Sequence, residues 1–198
     1  MTYNNSVGRP KTFTKDDVLK LAMYHFWEHG YDSTSLDDLL LSMGIKKSSF
    51  YRTFKSKEEV FSLSLDLYRK ETFVWLEDLQ KEIGVKETLL TFIKTSIDEL
   101  RESGTIKGCL LMNSSKECYG KYPELSRQIT IEFEALVAFL SQMIQKAQDE
   151  GALQNPLEAK KLTMQLLAIY SGIMMLVQAG ATVQEVDDLQ ILVAQIIQ

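Results

Sequence analysis

The stretch SLDDLLLSMGIKKSSFYRTFKSK, residues 35–57, decides the fold. Its apolar residues recur at helical spacing in two short runs, Leu36–Met43 and Lys47–Phe54. Gly44 separates them, and a glycine there tolerates the positive φ that a tight inter-helix turn needs. Two short helices about such a turn are the pattern of a helix-turn-helix, whose second helix enters the major groove of double-stranded DNA. That helix opens with Lys46, Lys47, Ser48 and Ser49. Two cations and two short hydroxyls suit base edges. Phe50 and Phe54, four residues apart, would anchor the helix from behind. Tyr51, Arg52 and Lys57 lie on or beside its exposed side and carry donors of the kind that fix phosphates. Ser35, which opens the first short helix, completes the candidate DNA-contacting set.

The helical reading extends in both directions. Before the motif, Lys15–His29 carries Val18, Leu19, Ala22, Met23 and Phe26 on one face and stops at Gly30. After it, helices are predicted over Lys57–Ile83, ended by Gly84, then Lys86–Ser103, Lys107–Tyr119 and Pro123–Glu150. A further helix follows Asn155–Pro156, read as an N-cap and a proline at the first helical position, and the last spans Val183–Ile197. Thr14, Ser35, Ser56 and Thr182 each precede an acidic residue by three, which is the capping-box spacing. The chain is therefore read as all-α, with about nine helices and no strand. Its first dozen residues, MTYNNSVGRPKT, lack periodicity and read as a loose arm.

Charge supports the same division. The chain of 198 residues has a formal net charge of −5, which alone argues against a nucleic-acid partner. However, residues 1–57 hold nine Lys/Arg against six Asp/Glu, while the remainder holds thirteen against twenty-one. A basic head on an acidic body is the asymmetry expected if only the head meets phosphate. Leu162–Gln184 contains no charged residue over 23 positions but is interrupted by polar side chains and Gly180, so it reads as a buried or subunit-facing helix rather than a membrane span. The first twenty residues have no apolar signal segment, and the expected location is the cytoplasm.

Several constellations invite chemistry. His25-Phe-Trp-Glu28-His29 matches H-x-x-E-H, a zinc-hydrolase pattern, but its third ligand is unspecified. The chain is expected to use no metal, no cofactor and no catalytic residue. Cys109 is read first as a small buried hydrophobe, but it lies near a predicted helix start and beside Lys107, and both features lower a thiol pKa. Cys118, nine helical residues on, would face the other side, about 13 Å away along the axis, so the two cannot bridge. The body is rich in adaptable apolar side chains. Met112, Phe133, Tyr170 and Met174 are candidates for an effector pocket, with Asn113 and Glu117 giving polar orientation.

Residues 9–61 resemble the N-terminal domain of tetracycline-repressor-like (TetR) regulators. The residues that carry the resemblance are Ala22, Phe26, Gly30–Tyr31, Thr34–Ser35, Gly44–Ile45, Tyr51, Phe54 and Ser56–Lys57. Lys46, Ser48 and Thr53 depart from the family, which often has Ser, Gly and His or Tyr there, so base preference does not carry over. The segment KGCLLMNSSKE, Lys107–Glu117, resembles a Gly-Cys-Leu stretch of one branch, in some of whose members the cysteine senses oxidants or electrophiles. The resemblance implies a three-helix DNA-binding domain over residues 1–56, a helical effector-binding and dimerisation domain over 57–198, and a homodimer, here expected through the last two helices. The function it implies is a transcriptional repressor released from operator DNA by a small organic effector, with thiol sensing at Cys109 as the alternative. The helix Lys57–Ile83, free of internal Gly and Pro, is the expected lever between effector and head.

Overall fold

The structure, a computed structural model, describes residues 14–104 and 106–197. The expected N-terminal arm lies outside these residues. Among the described residues the chain is helical with no strand: α1 Lys15–His29, α2 Leu36–Met43, α3 Lys47–Thr53, α4 Lys57–Ser103, α5 Leu110–Cys118, α6 Pro123–Asp149, α7 Ala159–Gln178, α8 Val183–Asp187 and α9 Gln190–Ile196.

The helix starts follow the local chemistry read from the sequence. Thr14, Ser35 and Thr182 form complete capping boxes with Asp17, Asp38 and Glu185. Ser56 accepts from the Glu59 amide, while the Glu59 carboxylate turns instead to the amide of Lys55. Gly44 ends α2 in the left-handed region, φ 64° and ψ 27°, and its N–H returns to the carbonyls of Leu40 and Leu41.

At Gly84, with φ 81° and ψ 165°, α4 breaks as expected into two helical arms, residues 57–83 and residues 85–103. The Thr88 hydroxyl donates to the Gly84 carbonyl at 2.8 Å. Three boundaries differ from expectation. The helix after Pro156 begins only at Ala159, because Asn155 caps no helix. Its Oδ1 accepts from the Leu157 amide in a local turn and its Nδ2 donates to the Ile196 carbonyl. α5 starts at Leu110 rather than Lys107, with Cys109 at its N-cap. The last helix is broken near Asp188–Leu189, where hydrogen bonds from Leu189, Ile191 and Leu192 reach back only three residues.

α1, α2 and α3 close around Phe26, Leu39, Phe50 and Phe54, all essentially inaccessible. The first turns of α4 complete this core, with Phe61 meeting Phe26 edge-on at 4.9 Å. The rest of the molecule packs α4 on α6 and α6 on α7. Phe73 and Phe139 stack at 4.0 Å, and Ser141 bonds Thr163 at 3.0 Å. α7 is the one described helix long and apolar enough to cross a membrane by length and composition. One face of it, including Leu162, Leu166 and Ile173, is buried in this core, while Met164, Met175 and Leu176 on the other are exposed.

One charged pair is set inside the α4–α6 seam. Glu132 is 4% exposed and takes the Arg69 guanidinium, which also bonds Asp66 at 2.6 Å and lies over the Phe73 ring. Gln128 supplies the other Glu132 oxygen with a donor at 2.5 Å. Arg69→Met strands the buried carboxylate and is expected to lower stability by about 3 kcal/mol, whereas Arg69→Met with Glu132→Leu recovers much of that loss. Urea titrations with unchanged m-values measure both effects.

Candidate functional site

The exposed face of α3 is the first candidate site. Phe50 and Phe54 are 0% and 1% exposed and pin the helix from below. Lys46, Lys47, Ser48 and Arg52 stand in solvent, Tyr51 is 55% exposed, and Ser49 is half-buried. Thr53 folds back onto the Ser49 carbonyl at 3.1 Å. The helix thus offers three cations, hydroxyls and a phenol on one rigid surface.

Two members of the expected DNA set are otherwise engaged. The Ser35 hydroxyl accepts from the Asp38 amide and donates to the Asp38 carboxylate, so it caps α2. Lys57 turns inward. Its ammonium donates to the carbonyls of Tyr31 and Thr34, both at 2.8 Å, and sits 4.0 Å from the centre of the Tyr31 ring. Partial burial pulls its pKa below the ordinary lysine value. Lys57 thus holds the α1–α2 connection in place through both carbonyls.

That connection is also gripped from the body. Glu117, near the C-terminal end of α5, accepts the amides of Tyr31 at 2.9 Å and Asp32 at 2.7 Å. Gly30 makes the approach possible: its φ is +80°, and a Cβ there would lie 2.9 Å from a Glu117 oxygen. Asp32 in turn receives Lys121 at 2.8 Å and the Tyr122 hydroxyl, and these bonds hold its carboxyl below the ordinary range. Tyr122 also meets the Tyr31 ring edge-on at 5.1 Å. Glu117 is therefore a clasp between body and head, not a pocket residue. Sequence reading assigned Gly30 as a helix stop and as part of the family pattern; nothing local marked its partner 87 positions away.

The effector candidates divide between two cavities. Met112, Asn113, Phe133 and Met174 gather with Cys109 around a cleft of about 340 Å³. Asn113 spends its amide N–H on the Lys107 carbonyl at 2.7 Å. Tyr170 belongs to a second cavity of about 750 Å³, where its hydroxyl meets that of Ser96 at 3.0 Å. Trp27, on α1, lines the same cavity and donates to the Gly108 carbonyl at 2.9 Å.

Cys109 takes the expected place of a small buried core residue and not that of an activated thiol. The thiol is buried, and burial raises its pKa despite hydrogen bonds from the Met112 and Leu111 backbone and the Tyr68 side chain. Lys107, two residues away, is exposed and does not offset this. Cys118 is buried as well and pushed up to about 11. His25 and His29 stack at 4.3 Å, and burial followed by repulsion from His29 lowers the His25 pKa. Among the described residues no three His, Cys, Asp or Glu side chains converge on a metal-sized site, so the H-x-x-E-H match lacks a third ligand.

Comparison with known proteins decides the family. The profile of "Bacterial regulatory proteins, tetR family" matches residues 18–62, and that of "Tetracyclin repressor-like, C-terminal domain" matches residues 85–190. The chain belongs to the TetR family. It is 31% identical to the uncharacterized HTH-type transcriptional regulator YezE of Bacillus subtilis over 150 residues, 75% of this chain and 77% of YezE. It is 27% identical to the HTH-type transcriptional repressor ComR of Escherichia coli, over 91% of this chain and 87% of ComR. The fold matches that of reduced E. coli NemR with a TM-score of 0.80 at 20% identity, over 92% of this chain and 97% of that one. In this TetR-family regulator, α2 and α3 are the helix-turn-helix.

Gly30→Ala is expected to cost about 2 kcal/mol or more, since it combines positive φ with a clash against the clasp. Thermal unfolding of Gly30→Ala, alone and with Glu117→Ala, measures it. The clash portion should vanish in the double variant and the strain portion should remain.

Proposed function

We propose that the protein is a homodimeric transcriptional repressor that holds operator DNA through α3 and releases it when a small organic effector occupies the body. The observation that carries this reading is the exposed row Lys46, Lys47, Ser48, Tyr51 and Arg52 on a helix pinned by buried Phe50 and Phe54. Lys47 and Ser49 are assigned to base edges, and Tyr51 and Arg52 to phosphates. Residues 1–56 act as the DNA-binding unit and 57–198 as the effector and dimer unit, although the packing of Phe26 on Phe61 carries the head's core past that boundary. The protein works in the cytoplasm, where its DNA is.

Dimerisation is assigned to α7 and the segments after it. Met164, Met175, Leu176, Ile191 and Leu192 are 44–60% exposed there, an apolar surface that a symmetric partner would cover. Release follows if the effector binds one arrangement of the two heads better than the other. The routes from body to head are the Glu117 clasp and Trp27. Thiol sensing ranks below ligand binding because burial disfavours the Cys109 thiolate.

Selection from a random duplex pool tests the reading. Enriched sequences should be inverted repeats with half-sites about one helical turn, ~34–36 Å, or a multiple apart, as an isologous dimer requires. Lys47→Ala should lose about 1–3 kcal/mol of discrimination at one position of each half-site. A pool that enriches no motif contradicts the function, and a motif without two-fold symmetry contradicts the dimer.

A further inference from the structure

The larger cavity has a chemical character of its own. It sits between the two arms that Gly84 turns against each other within α4. Its volume of about 750 Å³ is within the range that accepts drug-sized ligands, about 300–1,000 Å³. Five aromatic side chains line it: Trp27 from α1, Tyr68 and Trp75 from the first arm of α4, Phe92 from the second arm, and Tyr170 from α7. They are already arranged against one another, with Trp27 edge-on to Tyr68 at 5.0 Å and Phe92 stacked with Tyr170 at 5.1 Å.

The charge lining it is mostly of one sign. Asp98, Glu99 and Glu102 lie at spacings of three and four on the second arm and all border the cavity, against one lysine, Lys107. Arg101, on the same helix, is turned to Asp98 and Asp187. Glu99 accepts the Lys107 amide at 3.2 Å, and Glu102 is exposed. Aromatic faces carry negative quadrupole charge, and carboxylates beside them add to the same field. Both attract a cation and repel an anion.

We propose that this cavity binds an organic cation, a quaternary or delocalised onium centre bearing aromatic or apolar groups, and that this is the effector class. The inference rests on the effector reading above and names its chemistry. The cation sits over the aromatic faces, its apolar groups fill the space between the arms of α4, and the carboxylates balance its charge. Trp27 belongs to the DNA-binding head, so an occupant presses directly on α1 and on the Trp27–Gly108 hydrogen bond. The cavity thereby reaches the head without passing through the Glu117 clasp.

Both tryptophans of the chain, Trp27 and Trp75, line this cavity, so intrinsic fluorescence reports it directly. The probes are tetraphenylphosphonium and tetraphenylborate, near-identical in shape and opposite in charge. The full-length protein should bind the phosphonium at least about tenfold more tightly than the borate. Glu99→Gln with Glu102→Gln should narrow that gap by about tenfold. Trp75→Leu, at a half-exposed position that leaves the core intact, should weaken phosphonium binding by about two- to thirtyfold, read from Trp27. No phosphonium binding, equal binding of both probes, or a carboxamide double variant indistinguishable from the parent in its circular dichroism melt and in its affinities overturns the inference. Binding of the phosphonium that leaves selected operator DNA bound overturns the assignment of the cation as effector. Failure of the protein to select any DNA contradicts the repressor reading and leaves the cation site standing.

Discussion

The carboxylate of Glu117 reaching across Gly30 to the amides of Tyr31 and Asp32 is the constraint on which the rest of the molecule's working geometry depends. The end of α1 leaves backbone donors and acceptors that need partners, and the turn that follows sets the angle at which α2 and α3 are presented. A charge-assisted pair of hydrogen bonds from the body satisfies those donors. Lys57 satisfies the facing acceptors at Tyr31 and Thr34. The turn is thus held from two sides, by α5 and by α4, and the recognition helix inherits its orientation from both. Any residue larger than glycine at position 30 would push the clasp away.

Two routes from body to head follow. One passes along α5: the segment from Cys109 to Asn113 lines the smaller cleft, and Glu117, one turn further on, holds the head. The other is direct, because Trp27 is at once a residue of α1 and part of the wall of the larger cavity. The helix expected as the lever, residues 57–83, is present and ends at Gly84. The break there leaves space between the two arms, and the first turns of the helix are part of the head's own core through Phe61. A cavity occupant that alters the angle between the arms, or the seat of Trp27, changes the forces on the same three helices. Coupling of this kind needs differential affinity for two head arrangements and no covalent chemistry.

Much of this was legible in the sequence because it is local. Helical periodicity, the glycine at Gly44 and the hydroxyl-to-acid spacing at Thr14, Ser35 and Thr182 are all decided within a few residues, and each appears in the structure as read. The exposed face of α3 follows from the same periodicity, since Phe50 and Phe54 define its back. What failed depended on distant partners. Lys57 reads as a surface cation until Tyr31 and Thr34 come within reach. Glu117 reads as a pocket carboxylate until Gly30 is brought beside it. Cys109 carries two readings in the sequence, a core residue and a thiol beside Lys107, and only its burial in the structure favours the first. Tyr170 was grouped with Met112 and Phe133 on character alone, and the packing of α7 sends it to a different cavity.

The most direct test of the clasp is amide hydrogen exchange at Tyr31 and Asp32 in the native protein, compared with Glu117→Gln. If Glu117 holds the turn, both amides exchange more slowly than in an unstructured peptide by at least about tenfold, and the variant removes most of that protection while the core amides of α1 stay protected. Exchange of Tyr31 and Asp32 at the unstructured rate in the parent protein, or protection that survives Glu117→Gln undiminished, would contradict a head held by the body through this carboxylate.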